Sequence, residues 1–265
     1  MATRPGRDRL HIRLVVTALL LGLAGIGAFA AAAAGADSRW ARLGIALGLW
    51  GCLLPLFATV AHRMLPFFTG AAIPGYVAYR ADWALSVLWL ASLGHGLLSW
   101  REAGHWLWLP DLAGAAVAVH LTLRWNLRAS LAERMVAVLH IAFAWVGLAF
   151  AMSAVDSLLS LAGRAVFGLA PLHALTLGFF ASMLIGMASR VTLGHSGQPV
   201  RANGAMWNAF RALQAATLLR ILAELAPPLT SLSLAAALLW LGAFTAWAGR
   251  FGPYLWRPRA DGKPG

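Results

Sequence analysis

The strongest constraint on this chain is a succession of apolar runs, each about long enough to cross a bilayer as a helix. About 20 mostly apolar residues, rising 1.5 Å each, span the hydrocarbon core. Such runs lie at about Leu14–Ala34, Trp40–Ala61, Trp83–Trp100 and Trp106–Trp125, then at about Glu133–Ser153, Val166–Arg190, Ala205–Ala226 and Leu229–Arg250. Most are bounded by Trp or Arg, which anchor spans at the membrane interface. The expectation is an all-α, polytopic transmembrane bundle of about eight helices. Composition agrees, since 60% of the 265 residues are hydrophobic and 11% are charged, against roughly 25% charged in soluble domains. With no internal repeat and no long Pro/Gly/Ser linker, residues 1–265 read as a single transmembrane domain.

The net charge of +12 would suggest nucleic acid in a soluble protein, but the basic residues sit mainly in the gaps between runs. That is a membrane orientation signal, and nucleic acid is not expected as a partner. Alternate gaps differ sharply. One side receives Arg4, Arg7, Arg9 and Arg13, Arg63 and Arg80, Arg124, Arg128 and Arg134, Arg190 and Arg201, and Arg250, Arg257, Arg259 and Lys263. The other receives Arg39, Arg42, Arg101 and Arg164, while Arg211 and Arg220 fall inside a run. The richer side belongs in the cytoplasm, which puts both termini inside. The first run follows basic residues as a signal peptide would, yet it is longer than a usual signal core and reads as a retained span.

Cys52 is the one cysteine, so an intramolecular disulfide and the C-x-x-C-H haem attachment motif are both excluded. Any haem would be held non-covalently. No phosphate loop, nucleophile elbow or zinc-protease motif is present, which leaves NTPase and hydrolase readings without support. The histidines carry the chemistry, because an ionisable group inside a membrane span is costly. His120, about five residues before the basic loop 126–132, and His140, about eight after it, should share a level near the inner boundary. His95 and His173 should share a level near the outer one. Neutral imidazole is the commonest metal ligand, so these pairs are placed to serve haem or a metal. The bland alternative, a hydrogen bond across a helix interface, is as good for any one of them and better for His95, between Gly94 and Gly96. His11, His62 and His105 fall at boundaries, where a solvated histidine needs no explanation.

Arg220 in the seventh run could neutralise a haem propionate or an anionic substrate, although an ion pair with Glu224, four residues on, is the favoured reading. Ala144, Gly147 and Ala151 beside His140, and Ala113 and Ala116 before His120, leave room for a flat macrocycle or for close helix contact. Gly44 with Gly48, and Gly178, Ser182 and Gly186, form small-x-x-x-small contacts. Pro55 should kink the second helix near Cys52, and Pro110 sits in a first turn, where proline is tolerated. Cys52 with Met64 as a soft copper site is less favoured than an inert thiol.

Several segments then point to a family. P-L-H-A-L-T-L-G from Pro171, M-A-S-R-V-T-L-G-H-S-G-Q-P at Met187–Pro199 and V-L-H-I-A-F-A-W at Val138–Trp145 resemble the signature of the NnrS proteins. Weaker matches are R-M-L-P-F-F-T at Arg63–Thr69, L-L-R-I-L around Arg220, F-G-P-Y-L, and P-R-A-D-G-K-P-G at the C-terminus. Together they mark residues 60–265 as an NnrS-like region. The resemblance implies a bacterial inner-membrane protein containing b-type haem and copper, linked to nitric oxide metabolism and nitrosative stress. By the resemblance, His120, His140, His173 and His195 are the matching histidines and Arg190 and Arg220 the matching charges, without individual ligand roles; His120, His140, His173, His195 and Arg220 are thus the cofactor candidates, and His140 and His173, with His95 from the depth count, are the metal candidates. Typical members carry a W-H-A-H-E-type motif in an additional N-terminal region. That motif is absent here, which reads as a shortened relative or one that needs a second membrane subunit. Two other classes stay open: a transporter or channel for a small molecule or ion, with Pro171, Gly178 and Gly186 marking a moving helix, and a non-catalytic interaction subunit.

Overall fold

The computed structural model describes residues 5–226 and 229–262, with side chains from residue 9 onward. Arg4 and Lys263 of the basic set, the Arg7 side chain and the last residues of the C-terminal motif lie outside that description. The described residues are helical, without strands. In order, α1 is Pro5–Ala33, α2 is Arg39–Ala72, α3 is Asp82–Trp100 and α4 is Trp108–Arg124. After a single helical turn at Leu127–Ser130 come α5, Arg134–Ser160, and α6, Ala170–His195. The last two are α7, Gly204–Leu225, and α8, Thr230–Phe251.

Among the described residues, α1 from Arg9 onward, α2, α5, α6, and α8 with its continuation to Leu255 are long and apolar enough to cross a membrane. The chain is therefore an all-helical membrane protein. Helices α3, α4 and α7, of 19, 17 and 22 residues, coincide with the remaining apolar runs of the sequence. Burial sorts them by position: 72% of the most apolar window of α5 is buried, against 17% for α1 and 11% for α8. Helix α5 is thus the central post, and α1 and α8 turn leucine-rich faces outward, among them Leu20, Leu23, Leu234 and Leu238. The α1–α2 turn is closed by Asp37, which accepts from the Arg39 backbone N–H at 2.8 Å and from its guanidinium at 3.2 Å. Those two bonds hold the Asp37 carboxyl below its usual range.

Two helices change winding where the sequence carries proline or glycine. Pro55 has no N–H for the carbonyl four residues back, and the turns before it, Leu47–Leu53, are π-helical. The expected disturbance near Cys52 thus takes the form of a widened turn. A second π segment, Ala174–Ala181, opens the middle of α6. Its Gly178 lies against Trp145 of α5, where an added Cβ would come within 2.5 Å of the indole, and Gly186 meets Val138 and Leu139 at 2.8 Å. These glycines therefore let α6 lie directly on α5, with Phe143, Phe150, Phe179 and Trp125 filling the surrounding core. Gly44 plays the same part between α2 and α1, where an added Cβ would lie 2.9 Å from the Gly25 carbonyl, whereas nothing lies within 4 Å of a Cβ at Gly48. Cys52 packs against Gly22 of α1.

Gly178→Leu should destabilise the protein by about 1–3 kcal/mol through overpacking, while Gly48→Ala should be nearly silent. Thermal unfolding in detergent measures both, and equal effects would contradict the α5–α6 contact.

Candidate functional site

Polar side chains gather at the two ends of the bundle. At the end where α1 begins, α2 finishes and α5 begins, four histidines are drawn into hydrogen bonds with residues far away in the sequence. His62 and His11, expected at solvated boundaries, are buried instead, at 0% and 7% exposure. His62 Nε2–H donates to the Ala81 carbonyl at 3.1 Å, so its Nδ1 accepts from His11 Nε2–H, also at 3.1 Å. His120 is hydrogen-bonded through Nε2 to the Tyr79 hydroxyl at 3.0 Å and lies against the Trp83 ring. The loop bearing Tyr79 is fixed in turn by the fully buried Trp125, whose indole N–H donates to the Tyr79 carbonyl at 2.9 Å.

His140 shows the most informative geometry of this group. The single proton of the Thr69 hydroxyl goes to the Leu65 carbonyl, 2.7 Å away. Thr69 must therefore accept from His140 Nε2–H at 2.8 Å. That fixes the tautomer and leaves a lone pair on Nδ1, which is buried without a hydrogen-bond partner. His120 and His140 share this end of the bundle, as the depth count predicts, but each bonds to a different partner rather than to the other. The small residues beside them serve helix packing, since a Cβ on Gly147 would lie 3.2 Å from Val119 of α4.

At the opposite end, His95 of α3 meets Asp111 in the first turn of α4, with Nδ1 2.8 and 3.0 Å from the two carboxylate oxygens. Asp111 is completely buried. The imidazole also stacks on Trp50 of α2, with ring centroids 3.6 Å apart. Gly94 and Gly96 allow this approach, because a Cβ on either would meet Pro110 at 3.1 Å or Trp50 at 2.8 Å. A cavity of about 290 Å³ opens beside the pair, lined by His95, Trp50, Ser153, Asp156, Ser157 and the start of α6 among others. Nearby, Arg220 forms the favoured ion pair with Glu224 at 2.7 Å and reaches Ser233 of α8 at 3.3 Å. His173 gives its Nδ1–H to the carbonyl of Leu169, the residue that precedes its own helix, at 2.8 Å and lies 4.0 Å from Glu224. Among the described residues no group of three His, Cys, Asp or Glu converges to hold a metal ion.

The NnrS family model, described as NnrS protein, matches residues 4–259, nearly the whole chain. The chain belongs to the NnrS family. Neither a curated protein nor a solved structure matches it. The family match extends N-terminally beyond the residues 60–265 that carry the quoted motifs. Of the residues that the NnrS resemblance singles out, His140 is buried, His120, His173, Arg190 and Arg220 are half-buried, and His195 is exposed. Arg190 lies over the Phe68 ring at 3.9 Å, one residue from Thr69.

Sequence reasoning missed Asp111, Thr69, Tyr79 and the His11–His62 pair. A carboxylate next to a proline at the head of an apolar run was the available signal for Asp111. Thr69 and Tyr79 carry no such signal, because hydroxyls are common in membrane helices and loops. His95→Leu should cost about 3–5 kcal/mol, because it strands a buried carboxylate. His95→Leu/Asp111→Leu should cost less than that single change. Thermal melts of the three variants decide, and additive losses would mean that the pair is not coupled.

Proposed function

We propose that this protein is a multi-pass haem protein of the bacterial inner membrane, with copper as its second candidate metal, that helps the cell withstand nitric oxide. Membership of the NnrS family over residues 4–259 is the observation that carries the reading. All eight long helices would cross the membrane, with both termini in the cytoplasm. The lopsided distribution of Lys and Arg among alternate loops supports that orientation.

His140 is the residue best suited to a non-covalent b-type haem. An axial ligand must present an unprotonated ring nitrogen, and its other nitrogen is normally held by a hydrogen bond. His140 meets both requirements, with Nδ1 buried and unpartnered and Nε2–H held by Thr69. Haem bound there would supply an iron that takes nitric oxide as a ligand, the chemistry that both sensing and removal need. Thr69 would orient the ring, and the apolar core around α5 would keep water from it. His120, His173 and His195 are the further ligand candidates, and Arg220 is the propionate candidate if it exchanges Glu224 for the cofactor. Arg190, stacked on Phe68 beside Thr69, adds positive charge at the same end of the bundle as His140.

Protein purified from haem-replete cells should show a Soret band that shifts on adding nitric oxide and falls at least severalfold in His140→Ala. Colourless, metal-free protein would overturn the reading, and an unchanged band in His140→Ala would remove that residue from it.

A further inference from the structure

We infer that the cleft between the start of α2 and the end of α3 is a binding site for one anionic phospholipid, with an acyl chain along the cleft and the headgroup phosphate on Arg42 and Arg101. The cleft encloses about 160 Å³, and no charged side chain lines it. Ala46, Gly51 and Gly96 are buried and form its floor. Leu93 and Leu97, 36% and 52% exposed, form a rim that faces lipid, and Trp100 stands at the outer end. The small residues leave a furrow between two helices, and walls without donors or acceptors suit a methylene chain.

Charge at the mouth of the cleft selects the headgroup. The side that the proposed orientation puts outside is poor in basic residues, holding Arg39, Arg42, Arg101 and Arg164. Three of these gather at this one corner, Arg39 and Arg42 in the first turn of α2 and Arg101 directly after α3. Arg42 lies on the same face of α2 as Ala46, one turn away. Its guanidinium crosses to Glu102, beyond the end of α3, at 3.2 Å, which lays it over the mouth. Two acids share the corner, since Asp37 pairs with Arg39 as Glu102 does with Arg42. Three arginines against two acids leave one positive charge. Arg101 carries it, exposed and stacked over the Trp100 ring at 5.0 Å.

Arg42 is also incompletely satisfied. A guanidinium carries five N–H donors. Ser38 takes one of them at 3.4 Å, Glu102 takes another, and Nε is buried with no partner. Unmet donors on a charged group are costly, and the free oxygens of a phosphodiester match the planar fork. Trp100, at the same level, is the kind of residue that sits among headgroups. An acyl furrow, a surplus positive charge and an underused guanidinium thus meet at one corner of the bundle, as a bound anionic phospholipid requires. The inference goes beyond the haem reading and takes from the proposed orientation only the choice of leaflet.

The full chain in detergent is titrated with dioleoylphosphatidylglycerol or dioleoylphosphatidylcholine, and bound lipid is counted by native mass spectrometry. One phosphatidylglycerol should be retained in preference to phosphatidylcholine. Arg42→Gln and Arg101→Gln should each weaken it about fivefold, whereas Arg164→Gln, in the α5–α6 loop, should leave it unchanged. Glu102→Gln removes the competing carboxylate and should strengthen retention, the opposite of what losing a purely structural ion pair would do. Should Arg42→Gln fail to fold, phosphatidylglycerol brominated on its chains decides. It should quench Trp100, read as the difference between the wild type and Trp100→Phe, more than brominated phosphatidylcholine does. A broad set of bound lipids without preference for phosphatidylglycerol means an ordinary annular shell and overturns the site. So does retention indifferent to both arginines or weakened by Glu102→Gln. Binding in detergent is independent of sidedness and of haem, so its failure leaves the orientation and the Soret test standing, and a missing Soret band leaves the lipid site standing.

Discussion

Inside a bundle surrounded by lipid, a buried polar group cannot turn to water, so it must find a partner on a neighbouring helix. The tertiary structure depends on that requirement. Trp89 reaches across from α3 to Thr59 of α2 at 2.9 Å, and Trp247 from α8 to Ser189 of α6 at 2.8 Å. Trp145 of α5 donates to Gln214 of α7, which donates onward to Ser182 of α6, each at 2.7 Å. Each bond is worth only about 0.6 kcal/mol on average in a membrane bundle. They act by fixing which helix faces meet, and the small residues of α2 and α6 then let the backbones close.

The same requirement gives the two chemical centres their character. His140 and His95 each have one ring nitrogen bound by a partner, Thr69 or Asp111, which decides the state of the other. The partners differ in charge. A threonine hydroxyl leaves His140 with an unpartnered Nδ1 in an apolar surround, whereas His95 gives its Nδ1–H to a buried carboxylate.

The bundle was legible in the sequence because hydrophobic length and basic loops are properties of single segments. The helices from Pro5–Ala33 to Thr230–Phe251 fall on the apolar runs, and the Arg220–Glu224 pair follows from helical spacing alone. The depth count also brought His120 and His140 to one end, since alternating direction and residue number suffice for that. Partners across helices were not legible. Nothing in the run around Thr69 says that it faces α5, and His62 looks like a boundary residue until α1 and the loop 73–81 fold over it. Glycine spacing was ambiguous in the same way. Gly178 and Gly186 read equally as a hinge or as a contact, and only the Trp145, Val138 and Leu139 side chains seated on them favour the contact. Local pattern thus specifies the elements, while the tautomer of a buried histidine depends on what another helix brings to it.

The central claim is that His140 presents an open Nδ1 because Thr69 holds its Nε2–H. Nitrogen-15 NMR of histidine-labelled protein in bilayers, without added haem, tests it directly. The account predicts a His140 ring with Nε2 protonated and Nδ1 unprotonated, and a Nδ1 signal that moves when haem is added. A His140 protonated at Nδ1, or a Nδ1 signal indifferent to haem, would contradict it.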